Sequence, residues 1–336
     1  MTLHTPKPIV PIFDRPFLRY QIDLLRQVPD IDEIVLSLNY QPGRIEEVFG
    51  DGSELGIRLR YVVEPTPLGT GGAIKYAAGE PQDQPIVVFN GDVFTSVDLP
   101  EVIRVHRERK ARATIVLTPV DNPSAYGLVQ TDGQGNVLDF LEKPAPGSAI
   151  PCNTVNAGIY VLDPQSLDRI PKDTNFSIER GYFPSLVRDR ETFIALVSDG
   201  YWIDIGTPDK YRQAHRDIMD GRFVAEPFHR EPGVAVVSPE ARIEDGATIE
   251  RPCFIGKGAV IKKGARIGPH SVIGHHCHID EDAVVDGAIL WPNTWVDREA
   301  HLGPLIAGRN CHFGRNVRVG DGILGDKSVV TDCSHL

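Results

Sequence analysis

A six-residue repeat in the C-terminal part of the chain constrains its fold more than any other feature. The repeat begins at residue 241, and consecutive units read ARIEDG, ATIERP, CFIGKG, AVIKKG, ARIGPH, SVIGHH, CHIDED and AVVDGA. An aliphatic residue holds the third position of each unit, and Ala, Cys or Ser holds the first. A parallel β-helix requires this pattern, because each short strand points one large and one small side chain inward. The repeat predicts a β-helix over residues 234–332.

The repeat becomes irregular over residues 289–310, which read ILWPNTWVDREAHLGPLIAGRN, and it resumes with CHFGRN and VRVGDG. Insertions in repeat proteins map to loops on one face of the solenoid. We therefore expect a loop to leave the coil within this stretch.

The first 219 residues have a different pattern. Apolar runs such as IDEIVLSLNY, IRLRYVVE and PIVVFNGD alternate with amphipathic segments such as PGRIEEVFG and LPEVIRVHRERK. This alternation predicts an α/β fold with a doubly wound, mostly parallel sheet, in which ligands bind at the carboxyl ends of the strands. Residues 220–233 carry charges, Gly and Pro without periodicity, and we interpret them as a linker.

Charge and composition exclude some partners. The formal net charge is -11, so a nucleic-acid backbone or an anionic membrane would be repelled. No apolar stretch is long enough to span a bilayer, and the N-terminal residues lack the pattern of a signal peptide. The five cysteines form no CxxC pair, which favours reduced thiols over disulfides or a zinc site. We expect a cytoplasmic protein.

The segment VVEPTPLGTGGAIKYAAG, residues 62–79, follows a predicted strand and opens a predicted helix. Its glycines would leave bare backbone N–H groups where a nucleotide can pack closely. The spacing alone fits equally well with a tight turn that binds nothing.

Two aspartates are candidates for a metal site. Asp92 follows the apolar strand of PIVVFNGDVF directly, and Asp204 lies between two isoleucines in YWIDIGTP. A carboxylate at the end of a parallel strand can hold Mg²⁺, which needs few protein ligands beside substrate phosphates. Alternatively, Asp92 caps a turn and Asp204 caps the helix at Pro208, although Thr207 is the better N-cap.

Two further stretches lie between these aspartates in the chain. Glu142 and Lys143 end the strand of FLEKP, and Asn156 opens the strand of VNAGIYVLD. Glu142 and Asn156 can bond to sugar hydroxyls, and Lys143 can meet a phosphate. The alternative for Glu142 and Lys143 is a solvated surface pair.

These motifs together carry a resemblance that none carries alone. They are TPKPIVP (5–11), EPTPLGTGGAI (64–74), NGD (90–92), YG (126–127), FLEKP (140–144), VNAGIYV (155–161) and WIDIGTP (202–208). Their order resembles the sugar-1-phosphate nucleotidyltransferases, above all the mannose-1-phosphate guanylyltransferases with a C-terminal β-helix. The C-terminal part is similar to the left-handed β-helices of hexapeptide-repeat proteins.

The resemblance implies a Rossmann-like domain that joins a nucleoside triphosphate to a sugar-1-phosphate and releases pyrophosphate. GTP and mannose-1-phosphate are favoured, and glucose-1-phosphate with thymidine or uridine triphosphate stays open. The implied sites are Lys7 for the triphosphate, Glu64, Leu68, Gly69 and Thr70 around the base, Asp92 and Asp204 for Mg²⁺, Gly127, Glu142 and Asn156 for the sugar, and Lys143 for its phosphate.

One departure from the family is evident. Family members begin with a strand and a loop of the form GGxGTRLxPLT, whereas only Met1 to His4 precede Thr5 here. We therefore expect a nucleotidyltransferase domain over residues 1–219 without its first strand, which leaves two neighbouring strands unpaired. Either the start is assigned too late, or the chain is a non-catalytic partner that binds nucleotide sugars.

A β-helix is also the architecture of acyltransferases, and His270, His275, His276 and His278 could form a base or metal cluster. The six-residue register places these histidines at corners or outward positions and Cys277 inward, which favours solvated corners. Stacked flat coils bury apolar surface well between subunits, so we also expect a homo-oligomer.

Overall fold

The computed structural model describes residues 5–39, 41–79, 83–142, 152–229 and 231–336. The chain divides into two compact units, one of residues 21–203 and the other of residues 1–20 together with 204–336. The second unit thus combines the N-terminal segment with the last α-helix and the β-helix.

Among the described residues, the α-helices are α1 (Phe17–Leu25), α2 (Pro42–Phe49), α3 (Gly69–Ala78), α4 (Leu99–Arg109), α5 (Phe183–Arg188) and α6 (Pro208–Met219). The strands before the β-helix are β1 (Pro11–Ile12), β2 (Arg15–Pro16), β3 (Glu33–Leu38), β4 (Arg58–Val63), β5 (Ile86–Phe89), β6 (Val93–Thr95), β7 (Ala113–Pro119), β8 (Gly127–Thr131), β9 (Val137–Glu142), β10 (Thr154–Leu162), β11 (Phe193–Val197) and β12 (Trp202–Asp204). A π-helical turn, Ile178–Tyr182, leads into α5.

Strand β10 organises the main sheet of the unit of residues 21–203. It runs antiparallel to β7, and its first half also pairs with β8 through Val155 and Leu128. Its second half pairs with β5 instead, from Ile159 opposite Phe89 to Leu162 opposite Ile86. The register shifts between Asn156 and Tyr160, at the point where β10 changes neighbour. The bulge in β10 therefore lies where β5 ends and β8 begins.

The predicted α/β architecture is confirmed. Strands β3 and β4 are parallel, as are β7 and β11. In the chain order, α2 separates β3 from β4, α3 separates β4 from β5, and α4 separates β6 from β7. Among the described strands, β3 pairs only with β4, and β5 pairs only with β10. All four apolar residues of β5 are half-buried.

The predicted β-helix is also present, in the other unit. Its strands are β13 (Ala235–Val237), β14 (Arg242–Ile243), β15 (Thr248–Ile249), β16 (Cys253–Ile255), β17 (Val260–Ile261), β18 (Arg266–Ile267), β19 (Val272–Ile273), β20 (His278–Ile279), β21 (Val284–Val285), β22 (Ile289–Leu290), β23 (Trp295–Val296), β24 (His301–Leu302), β25 (Leu305–Ala307), β26 (His312–Phe313), β27 (Arg318–Val319), β28 (Gly322–Leu324) and β29 (Val329–Val330). They stack into three parallel sheets, here called the first face (β13 to β28), the second face (β14 to β29) and the third face (β15 to β27). The aliphatic and small residues of the repeat form a continuous buried core.

The expectation of a loop leaving the coil at residues 289–310 is wrong. Strands β22 to β25 continue the three sheets without interruption through this stretch. The irregularity comes from a change in coil length. Ile255 pairs with Ile273, so that coil has 18 residues, whereas Ile273 pairs with Leu290, so the next coil has 17. Each later coil is one residue shorter at the turn between the third and first faces, which displaces the six-residue pattern without inserting a loop.

The N-terminal segment packs within the β-helix unit. The ring of Phe13 lies 5.3 Å from that of Phe254 on the first face and 4.9 Å from that of His215 on α6. The indole Nε1 of Trp291 donates to the hydroxyl of Tyr211 at 3.0 Å, and that hydroxyl donates to the carbonyl of Pro11. Phe254 and Trp291 are both buried there.

Two buried histidines make stability depend on pH. Burial lowers the pKa of His106 and of His215 to about 4. In the unfolded chain these histidines bind protons near pH 6.5, whereas in the folded chain they bind protons only near pH 4. Their neutral forms therefore contribute their whole stabilisation above pH 6.5, and this contribution is lost as the pH falls towards 4. We expect each histidine to cost about 2 kcal/mol of unfolding free energy between pH 7 and pH 5.

Urea unfolding of His106→Gln at pH 7 and pH 5 measures this effect. The variant is expected to lose less stability on acidification than the unaltered chain. His301→Gln is the control, because His301 is exposed. Equal pH dependence in all three proteins would contradict the prediction.

Candidate active site

The loop after β5 is held firmly in place. The amide of Asn90 donates to the carbonyl of Gly158 at 2.8 Å. The buried side chain of Gln21 donates to the carbonyls of Asn90 and Val93, each at 2.9 Å. Asp92 lies between these two contacts in sequence, so its backbone is supported on both sides.

The bulge of β10 orients Asn156. Its side-chain oxygen accepts from the amide of Gly158 at 2.8 Å, and its Nδ2 donates to the hydroxyl of Tyr160 at 2.9 Å. Gly158 has φ +74°, and a Cβ there would lie 2.5 Å from the side chain of Asn90. The close approach of NGD and VNAG thus requires glycine at position 158.

The predicted sugar residues converge on this bulge. Gly127 on β8 lies directly opposite Glu142 on β9, and Leu128 lies opposite Val155, the residue before Asn156. The three positions therefore occupy one end of three neighbouring strands. Lys143 lies outside the described residues.

An aromatic pair borders the same end of the sheet. The indole Nε1 of Trp202 donates to the carbonyl of Ala157 at 2.9 Å, and its ring meets that of Tyr126 edge-on at 5.5 Å. Sequence reasoning did not single out Gln21, Gly158 or Trp202. Trp202 and Tyr126 lay inside recognised motifs, whereas Gln21 gave no local signal.

The Gly-rich turn is anchored at its start by Glu64. One carboxylate oxygen accepts from the amide of Leu68 at 3.0 Å, and the other accepts from the hydroxyl of Ser37 at 3.3 Å. Leu68 is buried, and α3 begins at Gly69 as predicted. Glu64 therefore shapes the turn, and its contact with the base remains a prediction.

The expectation of bare N–H groups in this turn is wrong at two positions. The amides of Gly71 and Gly72 both donate to the carbonyl of Phe176, at 2.8 and 3.1 Å. A Cβ on Gly72 would lie 2.5 Å from the carbonyl oxygen of Thr174. These glycines are needed for contact with another part of the chain.

Lys7 and Asp204 belong to the unit that contains the β-helix. Lys7 begins a short 3-10 helix, Lys7–Ile9, and Asp204 ends β12. Thr207 N-caps α6 by accepting from the amide of Lys210 at 3.3 Å, which confirms the preferred cap. The roles of Lys7 and Asp204 in binding remain predictions.

The chemistry of the two aspartates fits Mg²⁺. Asp204 accepts a hydrogen bond from the ammonium group of Lys210 through one carboxylate oxygen, so a metal ion would bind the other oxygen or displace Lys210. Within the described ranges, no three His, Cys, Asp or Glu side chains are grouped to hold a metal. Mg²⁺ does not require such a group, because it binds one or two carboxylates together with substrate phosphates.

The histidines of the β-helix occupy the predicted positions. His270 and His276 have left-handed backbone angles at corners of the coil, and His278 points outward from the second face. Cys277 is fully buried in the core. In the part of the chain that the structure describes, no helix is long and apolar enough to cross a membrane.

Two family models match this chain. Residues 1–221 match the family model described as nucleotidyl transferase, and residues 249–336 match the GMPPB C-terminal domain. A mannose-1-phosphate guanylyltransferase of Mycobacterium tuberculosis is 36% identical over 77% of this chain and 71% of that protein. A UTP–glucose-1-phosphate uridylyltransferase of Synechocystis is 33% identical over 92% of this chain and 84% of that protein.

A solved structure has the same fold. HddC from Yersinia pseudotuberculosis, crystallised in complex with GMP-PN, is 29% identical and superposes with a TM-score of 0.54 over 63% of this chain and 90% of that one. The family resemblance inferred from the seven motifs is thus confirmed. The chain belongs to the nucleotidyl transferase family.

Proposed function

We propose that the protein transfers a nucleotidyl group from a nucleoside triphosphate to a sugar-1-phosphate and releases pyrophosphate, with GTP and mannose-1-phosphate as the preferred pair. One observation carries the proposal. The loop of Asp92 and the positions of Gly127, Glu142 and Asn156 meet at the bulge of β10, as a site for a sugar phosphate requires. Relatives named as guanylyltransferases support the choice of substrates.

The nucleophile needs no general base. A phosphomonoester has its second pKa at about 6, so a phosphate oxygen of the sugar-1-phosphate is already an anion near pH 7. It attacks the α-phosphorus in line, and pyrophosphate leaves from the opposite side. The work left to the protein is alignment and neutralisation of charge.

Different residues of the chain would align the substrates and neutralise the phosphate charge. Asn156 is held in one orientation by Gly158 and Tyr160, and its amide would bond to sugar hydroxyls through its second N–H and the second lone pair of its oxygen. Lys7 and Lys143 would neutralise phosphate charge, and Asp92 with Asp204 would hold Mg²⁺. When bound, Mg²⁺ offsets the negative charge of the phosphates.

A panel of substrates tests the proposal. Pyrophosphate release is measured with Mg²⁺, each nucleoside triphosphate and each sugar-1-phosphate. The panel is run on this chain and, in parallel, on a chain extended upstream by a family-type strand and loop. We expect release with GTP and mannose-1-phosphate, at least from the extended chain. Nucleotide-sugar binding without release from either chain would favour a non-catalytic partner instead.

A uridylyltransferase or thymidylyltransferase acting on glucose-1-phosphate is the second candidate. The Synechocystis relative, named as a uridylyltransferase, covers more of this chain than the mycobacterial guanylyltransferase does. Discrimination among bases depends on a few contacts. Faster release with UTP or TTP and glucose-1-phosphate would establish this alternative.

We also propose a homo-oligomer assembled through the second face of the β-helix. Its outward row consists of Arg242, Val260, His278, Trp295, His312 and Val329 on successive strands. Trp295 is 48% exposed, and its ring stacks on His278 at 4.0 Å. A flat row with an apolar centre can meet the same row of a second copy across a two-fold axis.

Trp295→Arg is expected to lower the molar mass measured by light scattering to that of one chain. Ile323→Arg is the control, because Ile323 is 45% exposed but belongs to the first face. Unchanged mass for Trp295→Arg would contradict assembly through the second face.

A cytoplasmic location is part of the proposal. All five cysteines are free thiols, which suits a reducing compartment. Cell fractionation with an antibody against the native protein tests it, and recovery in a secreted fraction would contradict it.

A further inference from the structure

The carboxylate of Glu179 accepts hydrogen bonds from two hydroxyl groups. Thr70, in the Gly-rich turn, donates to Oε2 at 2.7 Å, and Ser177 donates to the same oxygen at 2.8 Å. Ser177 also accepts from the amide of Arg180 at 3.1 Å and so caps the π-helical turn. Glu179 thereby joins the turn to a segment that follows more than a hundred residues later.

Backbone contacts run alongside this carboxylate. The amide of Phe176 donates to the carbonyl of Leu68 at 2.8 Å, and its carbonyl accepts from the amides of Gly71 and Gly72. Asn175 Nδ2 donates to the carbonyl of Pro67 at 2.9 Å. Residues 67–72 and 175–179 therefore form one hydrogen-bonded assembly within the unit of residues 21–203.

Close packing leaves this assembly little freedom. Gly69 has φ +68°, and a Cβ there would lie 2.9 Å from the carbonyl oxygen of Phe176. A Cβ on Gly71 would lie 3.1 Å from the amide nitrogen of Ile178. The turn and the segment touch through backbone atoms, so a shift of one requires a shift of the other.

The hydrogen atom of the Thr70 hydroxyl is used inside the protein. The hydroxyl donates its proton to Glu179 and accepts from the amide of Ile178 at 3.0 Å. Its hydrogen atom is therefore not available to a nucleotide base. The side chain of Thr70 therefore sets the position of the turn.

We propose that Glu179 is a positioning residue for the nucleotide: it fixes Thr70, and through Thr70 the Gly-rich turn, in the conformation that receives the base. This role rests on the proposed function. A turn that is ordered before the ligand arrives binds more tightly, because the ordering cost is not met on binding. Loss of a hydrogen bond to a charged group corresponds to about a tenfold change in affinity.

The variants distinguish the hydrogen bonds made by Glu179 from its negative charge. Glu179→Ala removes both hydrogen bonds, and Thr70→Val removes the one from the turn. Glu179→Gln is the conservative variant, because both hydroxyls donate to one oxygen and the amide oxygen of glutamine can accept both. Thr70→Ser keeps the hydroxyl. Glu108→Ala is the matched control, since it removes an exposed glutamate that pairs with Arg104 elsewhere in the same unit.

Two measurements test the role, with GTP or UTP and Mg²⁺ as the probe. In the absence of nucleotide, amide hydrogen exchange at Gly71, Gly72 and Ile178 is expected to be about tenfold faster in Glu179→Ala than in the unaltered chain. The Kd for nucleotide is expected to rise about tenfold in Glu179→Ala and Thr70→Val. Glu179→Gln, Thr70→Ser and Glu108→Ala should stay within about threefold.

In turnover assays, Glu179→Ala and Thr70→Val are expected to raise KM for the nucleotide. Their kcat and their KM for the sugar phosphate should stay within about threefold of the values of the unaltered chain. Unchanged Kd in Glu179→Ala, or equal loss for both substrates, would overturn the role. If the chain transfers no nucleotidyl group but binds nucleotide with a Kd that Glu179→Ala raises, only the proposed activity fails. If the unaltered chain binds no nucleotide, both fail.

Discussion

Replacing Asp92 by Asn is expected to lower metal-dependent turnover about a thousandfold, the largest effect we expect from any single substitution. The change removes a negative charge and keeps the shape of the side chain. A cation at the reacting phosphates is worth several kcal/mol of charge stabilisation, and each 1.36 kcal/mol corresponds to a factor of about ten. The loop itself should keep its position, because Gln21 and Gly158 hold its backbone.

The measurement is the rate of pyrophosphate release as Mg²⁺ is varied, on a chain that is active in the substrate panel. Asp98→Asn is the matched control: Asp98 N-caps α4 in the same unit by accepting from the amide of Glu101, and asparagine caps helices equally well. Asp204→Asn is expected to behave as Asp92→Asn does. Turnover of Asp92→Asn close to that of the unaltered enzyme would refute the metal assignment.

Gly158→Ala is expected to lower the unfolding free energy by about 2–5 kcal/mol. The left-handed backbone angle costs a residue with a Cβ about 1–2 kcal/mol, and overpacking adds about 1–3 kcal/mol. The added methyl group would lie 2.5 Å from the side chain of Asn90. Relief of this contact moves either NGD or the bulge, so binding of sugar phosphate should weaken as well.

Urea unfolding and a sugar-phosphate titration measure the two effects. Gly133→Ala is the control in the same unit, because nothing lies within 4 Å of a Cβ there and its φ is not in the left-handed region. We expect Gly133→Ala to stay within about 0.5 kcal/mol of the unaltered chain. A stable Gly158→Ala variant with normal sugar-phosphate affinity would show that the approach of the two motifs is not required.

Both predictions concern a site that the sequence located in outline. Asp92, Gly127, Glu142 and Asn156 were identified as candidates from motifs, and the strand register brings the last three together at one end of the sheet. The motifs revealed which residues take part, because their order along the chain is characteristic. They could not reveal that β10 runs antiparallel and changes neighbour at its bulge, since pairing is decided by distant strands.

In the Gly-rich turn, the local sequence did not predict the hydrogen-bond partners of the backbone. Its glycines suggested bare N–H groups for a ligand, yet Phe176 accepts from two of them and Glu179 accepts from Thr70. The partners lie more than a hundred residues away and carry no periodic signal. Gln21 on α1, which donates to Asn90 and Val93, was not predicted either, because its partners are distant in sequence and no local pattern marks it.

The six-residue periodicity of the sequence was sufficient to predict the β-helix. Each coil repeats the same local requirement for one large and one small inward residue, so the pattern is visible in the sequence itself. The α/β class of the first part and the N-cap at Thr207 likewise follow from local patterns. Tertiary structure alone decided the shortened coils after Val285, the grouping of residues 1–20 with the β-helix, and the contacts that hold the site in shape. These depend on which distant surfaces pack together, and the free energy of that packing is absent from any short stretch of sequence.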